Sequence, residues 1–222
     1  MINASALDNG LHAGDLKFVD LDGNNKIEQT TSANDRKDMK VIGNSLPRYN
    51  YNFGISADWY GIDFSVLFQG IGKQNWYPGA ETSMFWGPYS RPYASFIPSD
   101  FMSQVWSEEN TDAYFPRPRG YVALGSNREL AVVNTKYLQN LAYCRLKNLS
   151  IGYTLPDKWL SKIGFEKIRV YFSGENLLTF TKLHSDYIDP EQASASNSWK
   201  TSKSDANIYP WAKTYSFGVD IT

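Results

Sequence analysis

From Tyr49 to Trp59 the chain alternates without a break over eleven residues. Tyr49, Tyr51, Phe53, Ile55, Ala57 and Trp59 fall on one side, and Asn50, Asn52, Gly54, Ser56 and Asp58 on the other. Successive side chains of a strand point to opposite faces, so this period specifies a β-strand with one apolar and one polar face. After Tyr60-Gly61 the pattern resumes: Ile62, Phe64, Val66 and Phe68 face one way, Asp63, Ser65 and Gln69 the other, and Leu67 is the exception. A two-residue turn at Tyr60-Gly61 pairs Trp59 with Ile62, Ala57 with Phe64, Ile55 with Val66 and Phe53 with Phe68, which keeps every apolar partner on one face. Gly suits such a turn, whereas Tyr is a poor first turn residue. The same register sets Asp58 opposite Asp63, an unfavourable pairing unless water or a cation relieves it.

Three more stretches share this pattern. Ile168, Val170 and Phe172 alternate with Arg169, Tyr171 and Ser173, while Tyr215, Phe217, Val219 and Ile221 alternate with Thr214, Ser216, Gly218 and Asp220. Between about Tyr143 and Leu155 the apolar positions are Cys144 and Leu146, then Leu149, Ile151, Tyr153 and Leu155; this phase slip predicts a bulge near Lys147-Asn148. The connections alternate strictly between long and short. A segment reaches to about residue 46, a two-residue turn follows, then a loop from about 73 to 136, a compact link from Pro156 to Phe165, and a loop from about 177 to 211. The link carries Pro156 and Asp157 early and Gly164 as a stop, which predicts one or two helical turns.

Composition narrows the class. Tyr, Phe and Trp (15, 12 and 7) give 34 aromatics in 222 residues, a weighting that favours strands. The net charge of −1 offers no basic field for nucleic acid, and a lone cysteine, Cys144, excludes an intrachain disulfide or a cysteine-based zinc site. Met1 to Gly10 lacks the basic and apolar regions of a signal peptide. No stretch approaches the roughly 18 apolar residues of a transmembrane helix, but transmembrane strands need only about 10 alternating residues. A half-buried sheet on a soluble core fits the alternation as well. The loop asymmetry favours an outer-membrane barrel, in which the apolar face meets lipid and the polar face the lumen.

Several ordered blocks resemble the C-terminal part of SusC/RagA-type TonB-linked outer-membrane proteins. They are Gly14 to Ile27, Val41 to Tyr49, Phe64 to Gly70, Phe115 to Pro118, Arg145 to Pro156, Ser173 to Thr181, and Asp189-Pro190-Glu191. The resemblance implies an all-β fold: the antiparallel closing strands of a transmembrane β-barrel of about 22 strands, with long extracellular loops and short periplasmic turns. It further implies an importer of glycans or peptides in the bacterial outer membrane. Such an importer would work with a SusD-like surface lipoprotein and a TonB complex. Residues 1–46 would be an extracellular segment, and residues 47–222 the barrel strands with their loops. The resemblance implies that the plug, the TonB-contacting part and the other strands lie outside these 222 residues. The chain ends at Asp220-Ile221-Thr222, where the family has one more outward aromatic, usually Phe. The rival expectation is a secreted, calcium-stabilised β-sandwich that binds glycans.

Two groups of residues are site candidates. Asp20, Asp22, Asn24, Lys26 (through its carbonyl) and Glu28 match positions 1, 3, 5, 7 and 9 of a calcium loop, with Ile27 at the apolar eighth place and Asn25 in place of the usual Gly. Position 12 is Thr31, so Asp35 is expected to supply the last carboxylate. The loops carry Trp76, Tyr77, Phe85, Trp86, Tyr89, Tyr93, Phe96, Trp199, Tyr209 and Trp211, whose flat faces suit sugar rings or peptide side chains. Packing within the loops is the competing role. No catalytic arrangement is expected: His12 and His184 are far apart, and His184-Ser185-Asp186 are neighbours only along the chain. The lumenal pair Asp58 and Asp63 calls for a basic residue from the plug or from elsewhere in the barrel wall.

Overall fold

The computed structural model describes residues 12–30, 32–90, 97–119, 124–125, 129–162, 164–196, 203–204 and 209–222. Five long strands form one antiparallel sheet: β1 (Arg48–Trp59), β2 (Ile62–Lys73), β5 (Tyr143–Thr154), β6 (Ile168–Thr181) and β8 (Thr214–Ile221), hydrogen-bonded in that order. Short elements lie between them: β3 (Asn75–Pro78), α1 (Ser83–Trp86), β4 (Gln139–Asn140), α2 (Asp157–Leu160), α3 (Pro190–Ser196) and β7 (Lys203–Ser204). Strand β3 pairs antiparallel with β4 and parallel with β7 in a second, small sheet.

The first hairpin takes the register that the alternation requires. Trp59 faces Ile62, Ala57 faces Phe64, Ile55 faces Val66, Phe53 faces Phe68, and Asp58 faces Asp63. Phe53 and Phe68 stack with ring centroids 5.0 Å apart. The turn has positive φ at both Tyr60 (47°) and Gly61 (86°), the conformation whose twist matches that of the strands. The expected bulge also forms. The β5–β6 register shifts between Leu146 and Asn148, and the β2–β5 register shifts between Leu67 and Phe68.

Among the described residues the sheet is a single layer with no core packed against its apolar face. The apolar face is open, with Trp59 70% and Phe217 82% exposed, and Phe53, Ile55, Val170 and Val219 are exposed beside them. A sandwich would cover that face with a second sheet, and among the described residues none does so. The buried core lies in the connections instead. Trp76, Tyr77, Phe85, Trp86, Tyr89, Phe101, Phe115 and Tyr137 pack together with Leu130, Leu141, Leu183 and Ile188. Two expectations are refined here. The described residues of the long 73–136 connection form a packed unit rather than open loop, and β6 runs on to Thr181, past the expected boundary near 177.

Candidate functional site

On the polar face, Asp63 finds its cation two strands away. Arg169 Nε donates to Asp63 Oδ1 at 2.8 Å and Nη2 to Oδ2 at 2.5 Å, and Nη1 reaches Asp220 Oδ2 at 3.3 Å. The residue between them on β5 is Gly152, where a Cβ would overlap both the Asp63 carboxylate and the Arg169 guanidinium. The sheet itself therefore supplies the partner expected for Asp63. Among the described residues Asp58 has no ion pair, and it lies on β1 at the edge of the sheet.

The acidic loop closes on itself. Asp20 accepts from the backbone N–H groups of Gly23 and Asn25, each at 2.7 Å, in the manner of an Asx turn, and Asn25 adopts φ 61°. Asp38 accepts from Leu21 N and Glu28 N, also at 2.7 Å, and so bridges both flanks of the loop. Those backbone donors, Glu28 first, hold the Asp38 carboxyl below the usual carboxylate range. Carboxylate oxygens of Asp20, Asp22 and Asp38 lie within 4.8 Å of one another. Asp38 thus stands where Asp35 was expected, while Asp35 lies 3.3 Å from Lys37 Nζ. Asp38 lies seven positions beyond Thr31, and spacing along the chain cannot foretell such an excursion. Asn24 Nδ2 donates to Asp22 Oδ2 at 3.0 Å and stands 3.4 Å from Glu28 Oε2, and Lys26 N donates to Asn24 Oδ1. Thr31 lies outside the described residues. Three carboxylates this close repel one another, so the donor set fits a hard divalent cation.

Most of the described aromatic candidates are core. Trp76, Tyr77, Trp86 and Tyr89 have at most 1% of their surface exposed, which corrects the expectation of a substrate role: a ring enclosed on both faces presents none to a ligand. Their polar atoms are satisfied inside. Tyr77 Oη donates to Leu130 O at 2.8 Å, Tyr89 Oη to Pro116 O, and Trp86 Nε1 to Pro78 O at 3.3 Å. Burial pushes the Tyr77, Tyr89 and Tyr137 hydroxyls well above the usual tyrosine range. Tyr93, Phe96 and Trp199 lie outside the described residues. Trp211 and Tyr209 remain, half-exposed and largely exposed respectively.

Trp211 belongs to a structure that the strand pattern did not reveal. Arg145 on β5 is buried and donates from Nη2 to Asp189 Oδ2 and from Nη1 to Glu191 Oε2, both at 2.7 Å, and from Nε to Thr179 Oγ1 at 2.9 Å. Lys147 Nζ lies 3.0 Å from Glu191 and 5.1 Å from the centroid of the Trp211 ring, and Trp211 N donates to Asp189 Oδ2 at 3.3 Å. The Asp189-Pro190-Glu191 block therefore clamps the last long loop to the polar face of the sheet. Its signal was a motif without an assigned role.

No protein-family model matches the chain. The chain is 31% identical over 92% of its length to TonB-dependent receptor P3 of Formosa agariphila, and 25% identical over its whole length to TonB-dependent receptor P26 of the same bacterium. It spans only 18% and 21% of those proteins. Among solved structures it resembles the RagAB peptide importer. Against the closed-closed state the TM-score is 0.56 at 23% identity, covering 91% of this chain and 20% of that one. Against the open-open state it is 0.52 at 22% identity, covering 86% and 19%.

Proposed function

The chain belongs to the TonB-dependent receptors of the bacterial outer membrane, and on that premise we propose that it forms closing strands and outward loops of a SusC/RagA-type importer for oligosaccharides or peptides. The uncovered apolar face carries this reading. A sheet that leaves Trp59, Phe217 and Val219 open is stable only against lipid, and a packed aromatic core belongs on the aqueous side, here in the connections. With a periplasmic C-terminus, the Tyr60-Gly61 turn and the α2 link face the periplasm, and the three long segments face outward. A SusD-like lipoprotein covers the outward loops, and the TonB complex acts through parts of the receptor outside this chain. The chain's role is binding and passage, not bond-making chemistry. Deleting the full-length receptor gene abolishes TonB-dependent uptake of its substrate; unchanged uptake of every oligosaccharide and peptide tested refutes the reading.

The acidic loop holds Ca²⁺ in this reading, through Asp20, Asp22 and Asp38. The ion removes the mutual repulsion of the three carboxylates and fixes the outer segment before β1. In the full-length receptor Asp38→Asn weakens Ca²⁺ binding by about tenfold or more, whereas Asp35→Asn leaves it within a factor of about three. Calorimetry that shows no Ca²⁺ uptake by the native receptor removes the assignment.

A further inference from the structure

At the outer end of β5 and β6, on the polar face, a cavity of about 660 Å³ opens beside Trp211, Tyr209, Asn176, Thr179, Ser185 and Lys213. It is built rather than incidental. The clamp of Arg145, Lys147, Asp189 and Glu191 fixes the loop, pins the Trp211 backbone, and places a cation over one face of its indole. The ring is half-exposed, and Tyr209 stands largely exposed next to it. A positioned aromatic with one face held from behind is preorganised to receive a flat ligand on the other.

The charges discriminate between ligands. Arg145 and Lys147 are neutralised by Asp189 and Glu191, so neither is available to an anionic ligand. Among the described residues Lys213 and Asp186 make no ion pair and balance each other in formal charge across the cavity. Strands β5 and β6 are hydrogen-bonded on both sides, so an extended peptide finds no free strand edge to pair with. Remaining hydrogen-bonding capacity lies in short neutral groups. Thr179 Oγ1 accepts from Arg145 and keeps its own O–H to donate, and the Asn176 amide has donors and lone pairs beyond its contacts with Ala212 and Lys147. Resting on the importer reading above, we infer that this cavity is a subsite for a neutral pyranose ring of an oligosaccharide, stacked on the free face of Trp211 and hydrogen-bonded by the neutral side chains around it.

The test uses the full-length receptor purified from outer membranes. Probes are maltohexaose, xylohexaose and chitohexaose, set against an oligogalacturonate and a pool of neutral hexapeptides. At least one neutral oligosaccharide binds; Trp211→Ala weakens it by about tenfold or more, and Trp211→Phe keeps it within a factor of about three. Trp159→Ala, on the exposed periplasmic link, leaves binding unchanged. Equal outer-membrane yield of the variants excludes a folding defect, and the Phe variant tests the ring if the Ala variant fails to assemble. Binding of the oligogalacturonate or peptides in place of neutral sugars, binding of no probe, or neutral binding indifferent to Trp211→Ala overturns the inference. Peptide uptake lost on gene deletion overturns the sugar subsite and leaves the importer reading standing. Probe uptake untouched by gene deletion overturns both.

Discussion

Gly152 shows how a position with no side chain decides an ion pair. Asp63 and Arg169 meet because β5 presents nothing between them, and the Tyr171 ring likewise lies across Gly218 on β8. Gly152→Ala pushes the pair apart and forces a local shift, lowering stability by about 1–3 kcal/mol in thermal unfolding of the full-length receptor. His184 is the second informative residue. Its imidazole stacks on Tyr114 at 3.7 Å, and Nε2 lies 2.7 Å from Gln104 Oε1. Burial lowers its pKa, against the opposing pull of Asp186 and Asp100. A depressed folded value means that the neutral ring stabilises the loop fully above the ordinary histidine pKa of about 6.5, and that this contribution is lost as the pH falls towards the lowered value. Tryptophan fluorescence of the loop core therefore reports looser packing below about pH 6.5, and His184→Phe flattens that dependence.

The β1–β2 hairpin and the bulge were legible in the chain because period 2 converts sequence directly into faces, and a one-residue slip moves every later side chain across the sheet. The turn was legible only in part: Tyr60 holds φ 47°, and nothing in its chemistry asks for it. Tyr60→Asn relieves that conformation and raises stability by about 0.5–1 kcal/mol, whereas Gly61→Ala, at φ 86° and with its Cβ 2.8 Å from Thr154 O, lowers it by a similar amount or more. Both shifts are read from denaturant unfolding of the full-length receptor. The end of β6 was misplaced because Asn176, at φ 53°, breaks the alternation where β6 accommodates an extra residue opposite Lys147. The loop core was the least legible element. Trp86 and Tyr137 approach to 5.2 Å although they are distant in sequence, and no local period encodes such a contact. Trp86→Ala costs that unit about 3–5 kcal/mol and exposes the loop to protease before the strands unfold.

Taken whole, the molecule places its apolar sheet face outside and its aromatic core in the connections. The full-length receptor accordingly stays with the membrane pellet through high-salt and carbonate washes and enters solution only with detergent; release by the washes alone contradicts the lipid-facing assignment. Strand identity, hairpin register and the bulge followed from the chain alone, because alternation and turn chemistry act between near neighbours, whereas the class of protein followed from the resemblance of its ordered blocks to a known family. The gathering of Asp38 with Asp20 and Asp22, the Arg169 partner of Asp63, the clamp behind Trp211 and the burial of Trp76, Tyr77, Trp86 and Tyr89 were decided only by the folded chain. Each of these depends on which distant segments meet. An exposed indole and a buried one read the same in sequence, and only the packing around them separates a ligand platform from a core residue.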